Sequence, residues 1–234
     1  MQDLHDALVT AASLMLELDH DLLEIVAVSL RVSFTGVLLA AFIALPLGGA
    51  LALLRFPGRR MLIVLMNALM GLPPVVVGLI VYLLLSRSGP LGSLGLLFTI
   101  TAMIIAQCLL VTPLIAALSR QIFEDLWGEY AEQLRSLGAE SVRAVITLLY
   151  EGRYSLLTVV LAGFGRAIAE VGAVLIVGGN IAHHTRTMTT AIVLETSKGD
   201  RALAVALGIV LIILASVINA LVYFSKDVVE HYTS

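Results

Sequence analysis

Long apolar runs alternate with short polar segments along this chain, and the pattern predicts about five membrane-spanning helices. Each run is long enough for a helix of roughly 20 residues to cross a bilayer. All but the fourth run are free of charged residues. The runs are Val32–Leu54, Met61–Ser86, Leu96–Leu118, Leu156–Ile181 and Ala202–Ser225. Because lipid offers no partner to backbone groups, the spans are expected to be helical, which predicts an all-α polytopic fold.

Composition supports a membrane protein. The 234 residues are 59% hydrophobic and only 13% charged, whereas soluble domains carry roughly 25% charged residues. A chain of this size cannot bury that much apolar surface in its own core. The net charge of −3 favours no nucleic-acid partner. A single cysteine, Cys108, excludes a disulfide framework within the chain.

The distribution of polar segments predicts the domain organisation and the orientation. Residues 1–24 lack the basic region of a secretory signal and are expected to form an amphipathic segment at the interface. The transmembrane domain is expected at 25–225, followed by a short tail at 226–234. The positive-inside rule, with the Arg55–Arg60 loop as its clearest indicator, places the N-terminus outside and the tail in the cytoplasm.

The longest polar stretch, Ser119–Tyr154, holds about a third of the charged residues and is then cytoplasmic. Its apolar residues recur at helical spacing. Gly138 lies in the middle, which favours two short helices meeting at a bend. Such an element either connects two spans as a solvated loop or docks into a groove of a soluble partner. The periodic residues are Tyr130, Leu134, Leu137, Val145 and Leu149.

The segment that begins at Glu132 resembles the signature loop of binding-protein-dependent ABC importer permeases. Glu132, Gly138 and Ala139 match the Glu, Gly and following residue of that signature. Gln133-Leu134 replaces its two alanines, and Tyr150-Glu151 stands where Leu-Pro is usual. The match is therefore partial at this loop.

Three further segments extend the resemblance to roughly residues 25–225. In their order and spacing they resemble the molybdate/tungstate/sulfate branch of type I permeases. The run from Arg166 to Asp200 is most similar to tungstate permeases. The segments are Phe56-Pro57-Gly58-Arg59, Leu72-Pro73-Pro74-Val75-Val76-Val77-Gly78 and Ala167-Ile168-Ala169-Glu170-Val171-Gly172-Ala173.

This resemblance implies a type I permease subunit in the inner membrane that imports an oxyanion, with tungstate first and molybdate or sulfate as alternatives. It implies a second copy of the chain, a cytoplasmic ABC ATPase homodimer and a periplasmic oxyanion-binding protein as partners, besides membrane lipid. The residues implied in ATPase coupling are Glu132, Arg135, Gly138 and Ala139.

ATP is expected to be used by the partner subunit and no cofactor by this chain, because the sequence lacks a Gly-x-x-x-x-Gly-Lys-Ser/Thr phosphate loop. No catalytic constellation is present, so an enzyme is not expected. A self-sufficient secondary transporter is a weaker alternative, since such folds are usually built from internal repeats and none is evident here.

Charged residues inside the fourth run are candidates for the substrate pathway. Arg166 and Glu170 are four residues apart and could pair on one helix face. They form either a structural ion pair or part of the pathway wall. In the second case Arg166 attracts the anion, and Glu170 neutralises the charge of Arg166 when the path is empty. Pro73-Pro74 predicts a kink within the second span, either static or acting as a gate. Asn180, at the predicted outer end of the fourth run, completes the pathway candidates.

His183-His184 is the one pair that suggests a metal. Adjacent histidines point in different directions on regular structure, and no carboxylate follows until Glu195. No metal site is therefore expected.

Overall fold

The computed structural model describes Val9, Ser13, residues 20–136, Gly138 and residues 141–233, with the backbone alone at 141–142 and 221–233. Apart from short turns and one 3₁₀ turn at Gly92–Leu94, these residues are α-helical. In chain order the helices are α1 (His20–Leu53), α2 (Arg59–Met70), α3 (Pro74–Leu85), α4 (Ile100–Ser136), α5 (Ser141–Glu151), α6 (Arg153–Ile168), α7 (Gly172–Gly178), α8 (Met188–Lys198) and α9 (Arg201–Thr233).

Three helices, α1, α4 and α9, are long and apolar enough to cross a membrane by themselves. Two bent pairs bring the number of candidate spans to five. The pair α2–α3 bends by 104°, and Arg143–Glu151 with α6 bends by 78°. The expected all-α fold with about five spans is confirmed.

Two helices extend beyond the apolar runs that predicted them. Helix α1 begins at His20, well before the run that starts at Val32, and α4 continues past Leu118 to Ser136. Arginine and glutamate are good helix formers, so a helix that leaves the lipid need not end there. The first half of the polar stretch is therefore the end of a 37-residue helix and not a short separate one.

The prediction of one continuous helix over Leu156–Ile181 is wrong. Helix α6 ends at Ile168, and α7 begins at Gly172 after a break. Glu170 lies in this break and not on a helix face. The break is stable because the polar side chains of Gln107 and Thr189, from other helices, bond its backbone groups.

The second predicted run is also broken. Pro73 has an extended backbone (ψ 124°) and Pro74 is the first residue of α3, so the pair starts a new helix and does not kink an existing one. Proline is favoured at this first position because its missing N–H would have no partner there anyway. The run therefore turns sharply at Pro73-Pro74.

The core lies mainly between α1 and α4, with α6 packed against both. Small and branched side chains fill this interface, including Ala40, Ala44, Val111 and Ile115, all fully buried. At the other end, α9 continues in helical backbone to Thr233, through the segment 226–234 that was expected to be a short tail. Most of the predicted amphipathic segment 1–24 lies outside the described residues.

Candidate functional site

The break between α6 and α7 holds a buried carboxylate. Glu170 is only 5% exposed. One carboxylate oxygen, Oε2, accepts a hydrogen bond from Arg166 Nη1 at 3.0 Å, and the other, Oε1, accepts one from the backbone N–H of Ala173 at 3.1 Å. The two residues therefore form the ion pair that their spacing predicted. Arg166 keeps 42% of its side chain exposed, so its guanidinium stays accessible while Glu170 does not.

Two side chains from distant helices bond carbonyl groups at the break, and one of these groups, that of Ala167, also accepts the backbone N–H of Glu170 at 3.2 Å. Gln107 Nε2, on α4, donates to the carbonyl oxygen of Ala167 at 2.8 Å. Thr189 Oγ1, in the first turn of α8, donates to the carbonyl oxygen of Glu170 at 2.8 Å. Both side chains are buried. Neither residue was singled out from the sequence, although Gln107 is an amide inside an apolar run and such residues often bond across membrane helices.

A small polar cavity lies beside the break. Its volume is about 10 Å³, close to the least that holds one water molecule. Gln107 Oε1 is buried and has no hydrogen-bond partner among the described residues. The polar residues around the cavity are Ser29, Ser33, Gln107, Glu170, Thr187 and Thr189.

The start of α3 lies directly against this break. A Cβ atom built on Gly172 would lie 2.7 Å from Val75 Cγ2, and one built on Gly78 would lie 2.7 Å from Ala173 Cα. Since Val75 follows Pro74, the sharp turn of the second span and the break at Glu170 are neighbours. The structure thus brings Pro73-Pro74 and the ion pair, predicted separately, to one place.

Asn180 lies at the opposite end of α7 from Glu170. It has a left-handed backbone (φ 49°), and its Nδ2 donates to the carbonyl oxygen of Thr190 at 3.4 Å. Its Oδ1 is buried with no hydrogen-bond partner in the described part of the chain. The contact of Asn180 is therefore with α8, and not with Arg166 or Glu170.

His183 joins the loop between α7 and α8 to the start of α1. Its Nδ1 lies 2.8 Å from Glu24 Oε2 and 4.0 Å from Asp21 Oδ1. The hydrogen bond and charge of Glu24, helped by the charge of Asp21, raise the pKa of His183 above its ordinary value. These partners come from the segment before the first apolar run, so they are far from His183 in sequence.

The same end of α1 holds the group of side chains best placed to share a metal ion among the described residues. His20, Asp21 and Glu24 place their ligand atoms within 4.8 Å of one another. His184, the other histidine considered from the sequence, is exposed on the loop. No other feature of the described residues points to an ion here.

The bend predicted within the polar stretch Ser119–Tyr154 is present. Helix α4 ends at Ser136, Gly138 has a left-handed backbone (φ 70°), and α5 begins at Ser141. Leu134 of α4 and Ala144 of α5 are buried in the same apolar cluster, which holds the two helices together. The break at Gly138 is thus confirmed.

The proposed coupling residues before the bend are accessible. Glu132 and Arg135 are exposed, and the Arg135 guanidinium lies 5.3 Å from the ring centroid of Trp127, a cation–π contact. Ala139 lies outside the described residues. Glu132 and Arg135 therefore lie accessible on the α4 side of the bend, and Arg143 is exposed on the α5 side.

A second ion-pair network ties the turn after α1 to α4. Arg59, the first residue of α2, donates from Nε to the carbonyl oxygen of Leu51 at 2.6 Å and from Nη2 to Glu124 Oε1 at 3.0 Å. Arg120 donates to the other oxygen of the same carboxylate. From the sequence Arg59 was assigned to a basic loop and to a segment of the family resemblance, and the structure adds that it bonds the carbonyl groups of Leu51 and Ala52 at the end of α1.

Comparison with known proteins places these features in a family. Residues 36–233 match the family model described as binding-protein-dependent transport system inner membrane component. That family describes the membrane part of the transport system, so the expected multi-pass inner-membrane location and the transport role without catalysis are confirmed.

Individual relatives agree with the family match. The chain is 40% identical to the tungstate uptake system permease protein TupB of Peptoclostridium acidaminophilum, over 97% of this chain and all of the relative. It is 42% identical to a probable anion ABC transporter permease protein of Haloferax volcanii, over 86% of this chain and 88% of the relative. It is 31% identical to the sulfate transport system permease protein CysT of Salmonella typhimurium, over 83% and 77%. This chain belongs to the family of inner-membrane permease components of binding-protein-dependent ABC transport systems.

Proposed function

We propose that this chain is the membrane subunit of a tungstate importer, driven by a separate ABC ATPase and fed by a periplasmic oxyanion-binding protein. The observation that carries the choice of cargo is the 40% identity to a tungstate uptake permease over the full length of that relative. The sulfate permease is less similar, at 31% identity over 77% of its length. Tungstate is therefore ranked before molybdate and sulfate.

The ion pair at the break supports a pathway role for Arg166. A guanidinium has five N–H donors in a planar fork that suits an oxyanion. In the described contacts Glu170 takes only one of these donors, Nη1. The remaining donors can bind a tetrahedral dianion in passing, and the fixed carboxylate prevents tight trapping. The turn at Pro73-Pro74 lies beside the pair and is proposed as the gate, and Asn180 as a polar group farther along the path.

The cytoplasmic bend is the proposed contact with the ATPase. Glu132, Arg135, Gly138 and Ala139 would dock into a groove on that subunit, as amphipathic helices commonly do. Two copies of this chain would face a homodimer of ATPase subunits. ATP can shift the equilibrium between the two orientations of the spans only because it binds one state of the assembly more tightly than the other. The size of the shift is set by this difference in affinity.

Uptake into proteoliposomes tests this proposal. The vesicles hold this chain with its cognate ATPase, and the cognate binding protein is added outside with labelled tungstate. We expect ATP-dependent accumulation that unlabelled tungstate blocks at a lower concentration than molybdate or sulfate. The strongest block by sulfate or molybdate would overturn the cargo. Accumulation without the ATPase would overturn the importer and favour a secondary transporter.

A further inference from the structure

We propose that Gln107 and Thr189 are positioning residues of the anion pathway. They fix the break between α6 and α7, the break fixes Glu170, and Glu170 fixes the guanidinium of Arg166. This inference rests on the proposed function, because it assigns these side chains to the use of Arg166 by the passing anion. Both residues are far in sequence from the ion pair, and both touch it only through the backbone of the break.

The first step concerns the backbone. A helix break inside a membrane exposes carbonyl groups that lipid cannot satisfy, so each needs a donor from the protein. The carbonyl oxygen of Glu170 accepts a hydrogen bond from Thr189 Oγ1 at 2.8 Å. The carbonyl oxygen of Ala167 accepts one from Gln107 Nε2 at 2.8 Å, in addition to the backbone N–H of Glu170 at 3.2 Å. These two side chains close the break from opposite neighbours, α4 and α8.

The second step concerns the carboxylate. Glu170 is held at its carbonyl oxygen by Thr189, at Oε1 by the N–H of Ala173, and at Oε2 by Arg166. A buried group with this many contacts cannot shift without losing several of them at once. The position of the Arg166 guanidinium therefore depends on the hydroxyl of Thr189.

The third step concerns the support behind Thr189. The preceding residue, Met188, is fully buried, and its N–H donates to Ser29 Oγ of α1 at 2.8 Å. Thr189 is thus anchored to the first span, and Gln107 belongs to the long helix that ends at the cytoplasmic bend. A misplacement of about 1 Å at a binding group is enough to cost a large factor in rate. The two residues connect the pathway group to both of these helices.

The test replaces Thr189 by valine, which keeps the shape and removes the hydroxyl, and by serine, which keeps the hydroxyl. The control is Thr112→Val, since Thr112 Oγ1 also donates to a carbonyl oxygen, that of Cys108, but within α4 and away from the break. The readout is tungstate transported per ATP hydrolysed in the reconstituted complex. For Thr189→Val we expect this ratio to fall about fivefold, the effect of losing the hydrogen bond to the carbonyl oxygen of Glu170, with binding-protein-stimulated hydrolysis unchanged. The variant also loses the contact between the hydroxyls of Thr189 and Thr187, which lie 3.2 Å apart at the start of α8. Thr189→Ser and Thr112→Val should keep the wild-type ratio.

A double variant separates positioning from general stability. On an Arg166→Gln background, Thr189→Val should lower the ratio no further, because its effect passes through Arg166. Equal additional loss in the double variant, or transport and hydrolysis falling together in Thr189→Val, would overturn the inference. Gln107→Leu is expected to act in the same direction, and Thr189→Val carries the test if Gln107→Leu does not assemble. Failure of the wild-type complex to transport tungstate would instead overturn the proposed function.

Discussion

At the scale of single residues, the contact between His183 and Glu24 makes the attachment of one loop dependent on pH. Glu24 raises the pKa of His183 in the folded protein above its ordinary value of 6.5. A group whose pKa is raised on folding stabilises the protein fully below the unfolded pKa. That stabilisation is lost as pH rises through the folded pKa. The loop should therefore be held more firmly in mildly acidic than in alkaline solution.

The replacement His183→Gln tests this dependence. We expect the melting temperature of the wild type to exceed that of His183→Gln at about pH 6, where the imidazole is charged, and the difference to vanish by about pH 9. The measurement is thermal unfolding in detergent at a series of pH values. His184→Gln, on the exposed neighbouring histidine, is the matched control. A difference that does not change with pH would show that the charge of His183 contributes nothing.

The residues of the ion pair were predictable, but the side chains that hold them were not. Arg166 and Glu170 stand out because charges in an apolar run are costly and because their spacing allows a local pair. Gln107 and Thr189 bond backbone groups 60 and 19 residues away. Such contacts depend on how the helices pack, and no local periodicity reports them. The role of the ion pair in the pathway stays a prediction.

At the scale of elements, Gly138 determines the direction of the chain at the bend between α4 and α5. Its left-handed backbone costs an alanine about 1 kcal/mol, even though a Cβ atom would meet nothing within 4 Å. We expect Gly138→Ala to distort the bend and to lower the amount of ATPase that co-purifies with this chain. The measurement is the ratio of the two subunits after affinity purification in detergent.

Gly128 provides a control, because alanine is expected to stabilise the helix at this position and to destabilise the bend at Gly138. It lies inside α4, is exposed, and also has open space around a built Cβ atom. Alanine at this helical position should stabilise the helix by about 0.5–1 kcal/mol, with ATPase binding retained. Loss of the ATPase in both variants would mean that any change on this surface disturbs binding. If both variants retained the ATPase, the bend would not be part of the interface with that subunit.

Apolar runs indicated that the helical spans exist, but not where they break or end. Nothing in the run 156–181 shows that the helix stops at Ile168, because the donors that permit the break come from α4 and α8. The end of α4 at Ser136 could not be predicted from the apolar runs either, since charged residues continue a helix as readily as apolar ones. The bend at Gly138 was predictable because a glycine inside a helical pattern commonly ends the helix, and this preference is a property of the residue itself.

At the scale of the whole molecule, close contact between α3 and α7 joins the two broken spans. A Cβ atom on Gly78 would lie 2.7 Å from Ala173 Cα, a backbone atom that no rotamer change can move. We expect Gly78→Ala to lower the free energy of unfolding by about 1–3 kcal/mol, the usual cost of overpacking. Thermal unfolding of the assembled complex measures this loss.

Gly208→Ala serves as the comparison for this variant, because Gly208 is also within a helix, α9, and has open space around a built Cβ atom. That variant should be as stable as the wild type or slightly more so. Equal stability of Gly78→Ala and the wild type would mean that the two half-helices can move apart without loss.

The contact at Gly78 also limits how the membrane region can rearrange. Helix α3 starts at the Pro73-Pro74 turn, α7 starts just after Glu170, and the two meet almost backbone to backbone. Half-helices this close leave no room for a side chain between them, so we expect α3 and α7 to move as one unit that carries both breaks. A displacement that begins at the proline turn is therefore expected to reach the backbone around Glu170, so that the two breaks rearrange together.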